Sequence, residues 1–248
     1  ILLGLVLDLK MKPVRVHSWN IGPDEATAIQ HNLRDKVVIT PISEDIRFVG
    51  ATAVAFDTNK NFIHAALSVL TYPKLDLVEQ CGISREIRFE YVSGLLAFRE
   101  GGPLMSLFRK IENDLDLVVF HAHGQAHPRS FGLASHLGVL LDIPSIGISN
   151  KVLVGHHEYL PKEKFSESGI IYQSEKVGVA LRTKEGVNPI FISTGHKADL
   201  SSSVQTIKRL VTNYRFPEPT RLAQLAANKQ KEGGEVEINT GNSQTSLF

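Results

Sequence analysis

"LDLVVFHAHGQAHPRSFGLASHLGVLLDIPSIGIS", residues 115–149, decides the fold. It opens with LDLVVF, a continuous apolar run of the kind shown by a parallel strand covered on both faces. A glycine turn follows, and then SFGLASHLGVLL carries apolar residues at helical spacing. SIGIS closes the stretch as a second buried strand. Strand, helix and strand within about thirty residues make a βαβ crossover, which lays the two strands parallel.

Working outward, GGPLMSLFRKIEND (101–114) places Leu104, Leu107, Phe108 and Ile111 at helical spacing just before the first strand. Further upstream, FVGATAVAF, FIHAALSVLTYP and LDLVEQCGI are β-branched and apolar runs joined by short polar breaks such as DTNKN. They predict an antiparallel three-strand meander. Trp19–Val38 has Pro23 and Asp24 at a helix start, then Ala28, Ile29 and Leu33 on one face. Downstream come strands KVGVALRT and PIFIST, a helix from about Ser201 to Asn213, and RFPEPTRLAQLAANK, in which the two prolines of FPEPTR predict a structural turn. The expected fold is α/β: a mixed sheet of antiparallel meander plus parallel βαβ strands, with helices on both faces. One domain over 1–228 is expected, followed by a disordered tail over 229–248 that is rich in Gly, Asn, Ser, Thr and Gln. Open α/β sheets bind ligands beyond the carboxyl ends of their parallel strands. The turns after Phe120 and after Ser149 lie there.

Lysine plus arginine (27) nearly balances aspartate plus glutamate (26), so no global basic field advertises a polyanionic partner. A single cysteine, Cys81, excludes an intramolecular disulfide framework and fits a reducing compartment. The opening ILLGLVLDLK is far short of the roughly 20 apolar residues of a membrane helix, and it lacks the basic start of a signal peptide. The expectation is an intracellular protein without membrane association, cytoplasmic or nuclear. The first residue is Ile, which leaves a removed leader and an organelle open.

EYVSGLLAFREGGP, HAHGQAHPRSFGLASHLGVLLDIPSIGISNK, ALRTK, PIFISTGHKADL and YRFPEPTRLA, in this order, resemble the endonuclease V family. The resemblance covers roughly Trp19 to Asn228. It implies a ribonuclease H-like fold and magnesium-assisted hydrolysis of a phosphodiester beside a deaminated base in DNA or RNA. In that chemistry carboxylates hold the ion, the ion lowers the pKa of its water, and a lysine meets the developing charge.

At several positions the chain departs from the family pattern. Where the family's first strand carries an aspartate, VGATAVAF offers Thr52, or Ala53 if the gap is set one residue later. Asp57 lies about 13 Å further along an extended chain and reads as a turn residue. His121 stands at the second aspartate and Asn150 at the lysine, with Lys151 displaced by one position. Glu100 and His196 are retained, and the resemblance places them around the metal. It also implies nucleic-acid contacts for Tyr91, Gly94, Gly124, His127, Arg129, Ser149 and Leu153, with Ala122 as an intruding methyl and Glu90 in place of a proline beside Tyr91.

Three readings follow. The first is a family member that has lost or weakened its nuclease activity and binds nucleic acid with deaminated bases or acts as a scaffold. The second is an active nuclease with a rebuilt metal site on Glu100, His121 and His196, joined by His123, for manganese or zinc, ions that suit imidazole. The third is an interaction module with no nucleic-acid ligand. The sequence names no protein partner.

Overall fold

The computed structural model describes residues 13–14 and 16–239. Along the chain run α1 (Pro23–Arg34), β1 (Phe48–Asp57), β2 (Phe62–Thr71), β3 (Leu77–Glu86), α2 (Leu96–Phe108), β4 (Leu117–Phe120), α3 (Leu133–Leu141) and β5 (Ser145–Ser149). Then come β6 (His156–His157), β7 (Glu167–Tyr172), β8 (Glu175–Leu181), β9 (Ile190–Thr194), α4 (Leu200–Leu210), α5 (Glu218–Lys231) and β10 (Glu237–Asn239). The ten strands form one sheet in the order β10-β3-β2-β1-β4-β5-β9-β8-β7-β6.

The meander is there as read: β1 pairs antiparallel with β2, and β2 with β3. So is the crossover, since β4 lies parallel to β1 and β5 parallel to β4. β9 then runs antiparallel to β5. This is a ribonuclease H-like mixed α/β sheet.

Alternation along β1 divides its side chains between two cores. Val49, Ala51, Ala53 and Ala55 face the core that holds Ile207 and Leu210 of α4 and Ala223, Ala226 and Ala227 of α5. Phe48 and Val54 face the opposite core, with Phe98, Leu104 and Leu107 of α2 and Leu133, Leu137 and Leu140 of α3. Thr52 belongs by parity to this second face, beside its register partner Phe120.

Two expectations need correcting. The helix read at 101–114 runs over Leu96–Phe108 instead. Gly101 and Gly102 lie inside it because Trp19 packs on that turn: a Cβ on Gly101 would stand 2.6 Å from the indole. Beyond the helix end Glu79 of β3 holds the chain out of helical geometry, accepting from Glu112 N at 3.0 Å and Asn113 N at 2.9 Å. The second correction concerns the expected boundary at 228. α5 continues to Lys231, and after Gly233 (φ +84°) the chain returns to pair with β3, Glu237 opposite Cys81. Val236 anchors the return by burying itself in the core under α4 and α5. Residues 240–248 of the expected tail, and the opening 1–12, lie outside the described residues. Among the described residues no helix is long and apolar enough to cross a membrane.

Candidate functional site

The carboxyl ends of β4 and β5 bring His121 and Asn150 together. Neutral imidazole carries one proton, and His121 uses both ring nitrogens: Nδ1 lies 3.3 Å from Gln224 Oε1, an acceptor, so Nδ1 donates. Nε2 then accepts from the Asn150 amide at 3.4 Å. Gln224 passes the chain on, donating to Val54 O and to Asn228 Oδ1, each at 3.3 Å. Phe216 packs against the imidazole at 5.1 Å between ring centroids. Burial holds the His121 pKa below its ordinary value, the Gln224 hydrogen bond opposes this, and the guanidinium of Arg215 adds to the depression. The result is an uncharged, hydrogen-bonded cluster beside a cation.

Gln224 was not among the residues singled out from the sequence. Its spacing in α5 gives it away only once that helix is known to cross the face of β1 and β2. With Gln224 on the α5 side of the sheet, Ala53 rather than Thr52 shares the face of the His121 cluster. Thr52 is buried on the other face and meets His121 only through the backbone, its carbonyl accepting from His121 N at 3.4 Å.

Glu100 enters from α2 and is 5% exposed. Burial pushes its carboxyl up to about 8, and the neighbouring Arg99 offsets this only in part. It is not among the hydrogen-bond partners of His121.

His196 lies elsewhere. Thr194 pairs with Ile146 at the start of β5, and His196 N donates to Ser145 Oγ at 2.8 Å. Its ring contacts Asp142 at the carboxyl end of α3 and accepts from Val38 N at 3.2 Å. Asn150 follows the other end of β5, so about 13 Å of strand separates the two ends. His196 therefore cannot share an ion with His121. His123 is separate as well: its Nε2 donates to Lys151 O at 2.9 Å and lies 2.9 Å from Ser149 Oγ. Among the described residues, no three His, Cys, Asp or Glu side chains gather where they could hold a metal.

Tyr91, Gly94, His127 and Leu153 do converge. A cavity of about 130 Å³ is lined by Tyr91, Gly94, His123, His127 and Leu153 among others. Gly94 is its fixed point. With φ +79° it takes a conformation that favours glycine, and its carbonyl accepts from Arg129 Nη2 at 2.6 Å, His127 Nε2 at 2.9 Å and Gln30 Nε2 at 3.0 Å. His127 Nδ1 accepts from Arg129 N at 3.2 Å, which fixes the tautomer. Burial, with help from Arg129, holds the His127 pKa down to about 4, so the ring is neutral at ordinary pH. Arg129 thus braces the loop, its Nε donating to Gln30 Oε1 at 2.6 Å. Tyr91 (71% exposed) and Leu153 (36%) stand at the mouth.

Gly124 lies beneath the site rather than in the cavity. Its amide donates to Ser193 Oγ at 2.8 Å, and a Cβ there would meet Thr194 O at 1.9 Å. Ser149 touches the cavity wall only through its 2.9 Å contact with His123, and Ala122 is buried in the α2–α3 core without lining the cavity.

The endonuclease V family model matches residues 31–225. A relative from Nostoc punctiforme, named endonuclease V, is 38% identical over 219 residues, 88% of this chain and 99% of its own length. The crystal structure of endonuclease V from Streptomyces avermitilis superposes with a TM-score of 0.82 at 34% identity, covering 87% of this chain and 96% of that one. A Ciona intestinalis endonuclease V, solved with a 24mer DNA containing an inosine followed by a ribo-adenosine, superposes with a TM-score of 0.73 at 25% identity, covering 85% and 98%.

Proposed function

Because this chain belongs to the endonuclease V family, we propose that it binds DNA or RNA carrying a deaminated base and has lost, or keeps only weakly, metal-dependent cleavage. The base would enter the cavity under Tyr91 and Leu153, against Gly94, His123 and His127. This likeness to a relative solved with inosine-containing DNA supports the ligand class.

The loss of cleavage rests on one observation, the closed neutral chain from Asn150 through His121 to Gln224. Magnesium favours hard oxygen ligands and carboxylate charge. Here His121 spends both nitrogens on amides, Ala53 and Thr52 carry no charge, and Arg215 repels a cation. Glu100 is left as the one family carboxylate, and burial pushes its carboxyl up to about 8. This donor set does not fit magnesium. A rebuilt centre for manganese or zinc on Glu100, His121 and His196 has no support from the geometry, because His196 sits at the other end of β5.

The test is fluorescence anisotropy with inosine-bearing single strands, in EDTA and then in magnesium. The reading expects equal binding in both, and a drop of roughly tenfold for Leu153→Asp, which puts a negative charge at the mouth of a cavity approached by a polyanionic strand. Binding that requires magnesium would contradict it. No binding in either condition would favour an interaction module without a nucleic-acid ligand.

A further inference from the structure

A second cavity, of about 280 Å³, is lined by Phe89 of the 87–95 loop, the same loop whose Tyr91, Val92 and Gly94 line the first. Trp19, Phe89 and Phe98 give it aromatic walls, and Arg85, Arg88 and Arg99 give it a basic rim. Trp19 is held in place by Gly101 and Gly102 of α2, whose missing side chains make room for the indole. Arg99 is held too, donating to Phe89 O at 2.9 Å while its guanidinium lies 5.1 Å from the Phe56 ring centroid. The two exposed arginines are freer. Arg85 spends one nitrogen on Ser84 O at 3.0 Å, and Arg88 has no hydrogen-bond or ion-pair partner among the described residues.

Glu86 is the one acidic residue in this lining, so three arginines face a single carboxylate on a chain whose net charge is only +1. Positive charge is therefore concentrated here. Aromatic faces stack nucleobases, worth about 1–3 kcal/mol per base, and guanidinium groups pair bidentately with phosphate. The volume lies just below the roughly 300–1,000 Å³ of small-molecule pockets, which suits one nucleotide. Asn20 adds an amide to the wall that could meet a base edge. The ends of β1 and β3 at Asp57 and Glu86 put this cavity on the same sheet edge as the carboxyl end of β4.

We propose that this cavity is a second nucleotide site, stacking a base on Trp19 and holding its phosphate on Arg85 and Arg88. Its occupant is either a free nucleoside monophosphate or a flanking nucleotide of the strand in the first cavity, and only the latter source rests on the function proposed above.

Trp19 is the sole tryptophan, so its emission reports the cavity directly. Titrating the full chain with AMP is expected to quench Trp19 saturably, with adenosine and inorganic phosphate each binding at least about tenfold more weakly. The double variant Arg85→Ala/Arg88→Ala, which removes exposed side chains and whose fold circular dichroism is to check, should weaken AMP by about tenfold or more. Tighter quenching by a deoxyadenosine-tailed strand than by AMP identifies the strand as the source; equal or weaker quenching identifies the free nucleotide. Unchanged Trp19 emission with both ligands at millimolar concentration, or full AMP affinity in the double variant, overturns the site. AMP carries no deaminated base, so this result and the binding of inosine strands can fail independently.

Discussion

Glu100 is the carboxyl that the family resemblance places at the metal, and its environment sets its charge. The motif FRE identified the residue, but not its protonation, which follows from the near-complete burial of its side chain on α2. Its pKa is raised above the ordinary glutamate value of about 4.3, so the folded state favours the proton. Stability is then fully present below about pH 4.3 and is lost as pH rises towards 8. Glu100→Gln, which imitates the neutral acid, is expected to match the parent near pH 4.5 and to exceed it by a few kcal/mol near pH 8.5, in urea unfolding at each pH. A difference that does not change with pH would mean that Glu100 stays ionised in the fold. His121 and Asn150 were also legible as departures from a pattern. Gln224 was not, because the side of a helix that meets a sheet edge depends on how that helix docks. For the same reason the choice between Thr52 and Ala53 fell to strand parity, which only the packed sheet reveals.

Among elements, α2 records a conflict between propensity and packing. Glycine inside a helix costs roughly 1 kcal/mol relative to alanine, which is why GGP reads as a helix start. Trp19 reverses that reading, since it needs the space over Gly101. Gly101→Ala is therefore expected to destabilise the protein by about 1–3 kcal/mol despite the better helix former. Gly102→Ala, where the nearest indole atom is 3.3 Å away, should change stability by less than about 1 kcal/mol. Urea midpoints for the two variants check this, and equal effects would mean that the indole moves aside. β9 teaches a different limit. An apolar run such as PIFIST looks the same whether its strand runs up or down the sheet. Its antiparallel direction beside β5 is what carries His196 away from the cluster, so a metal set assembled from motif membership alone joined residues at opposite ends of a strand.

Taken whole, the molecule is nearly neutral, and its fold class was readable because period-2 and period-3.6 patterns alternate cleanly from Phe48 to Ser149. The short β6, β7 and β10 escaped notice, being too brief or too polar to carry a pattern. With net charge near zero, the proposed strand binding would rest on local contacts, Arg85 and Arg88 among the candidates. For about four phosphate contacts, the logarithm of affinity for a single strand should fall with the logarithm of salt at a slope near −3. Anisotropy across a salt series measures it, and a flat response would remove phosphate contact from the account. The most direct test of the central claim is a cleavage assay, in which the purified chain meets an inosine-bearing strand in magnesium and, separately, in manganese. The account predicts an intact strand, or one cut only at a trace rate, after incubation long enough for a metal-dependent relative to cut it fully. Complete cutting that disappears in Glu100→Ala would contradict it.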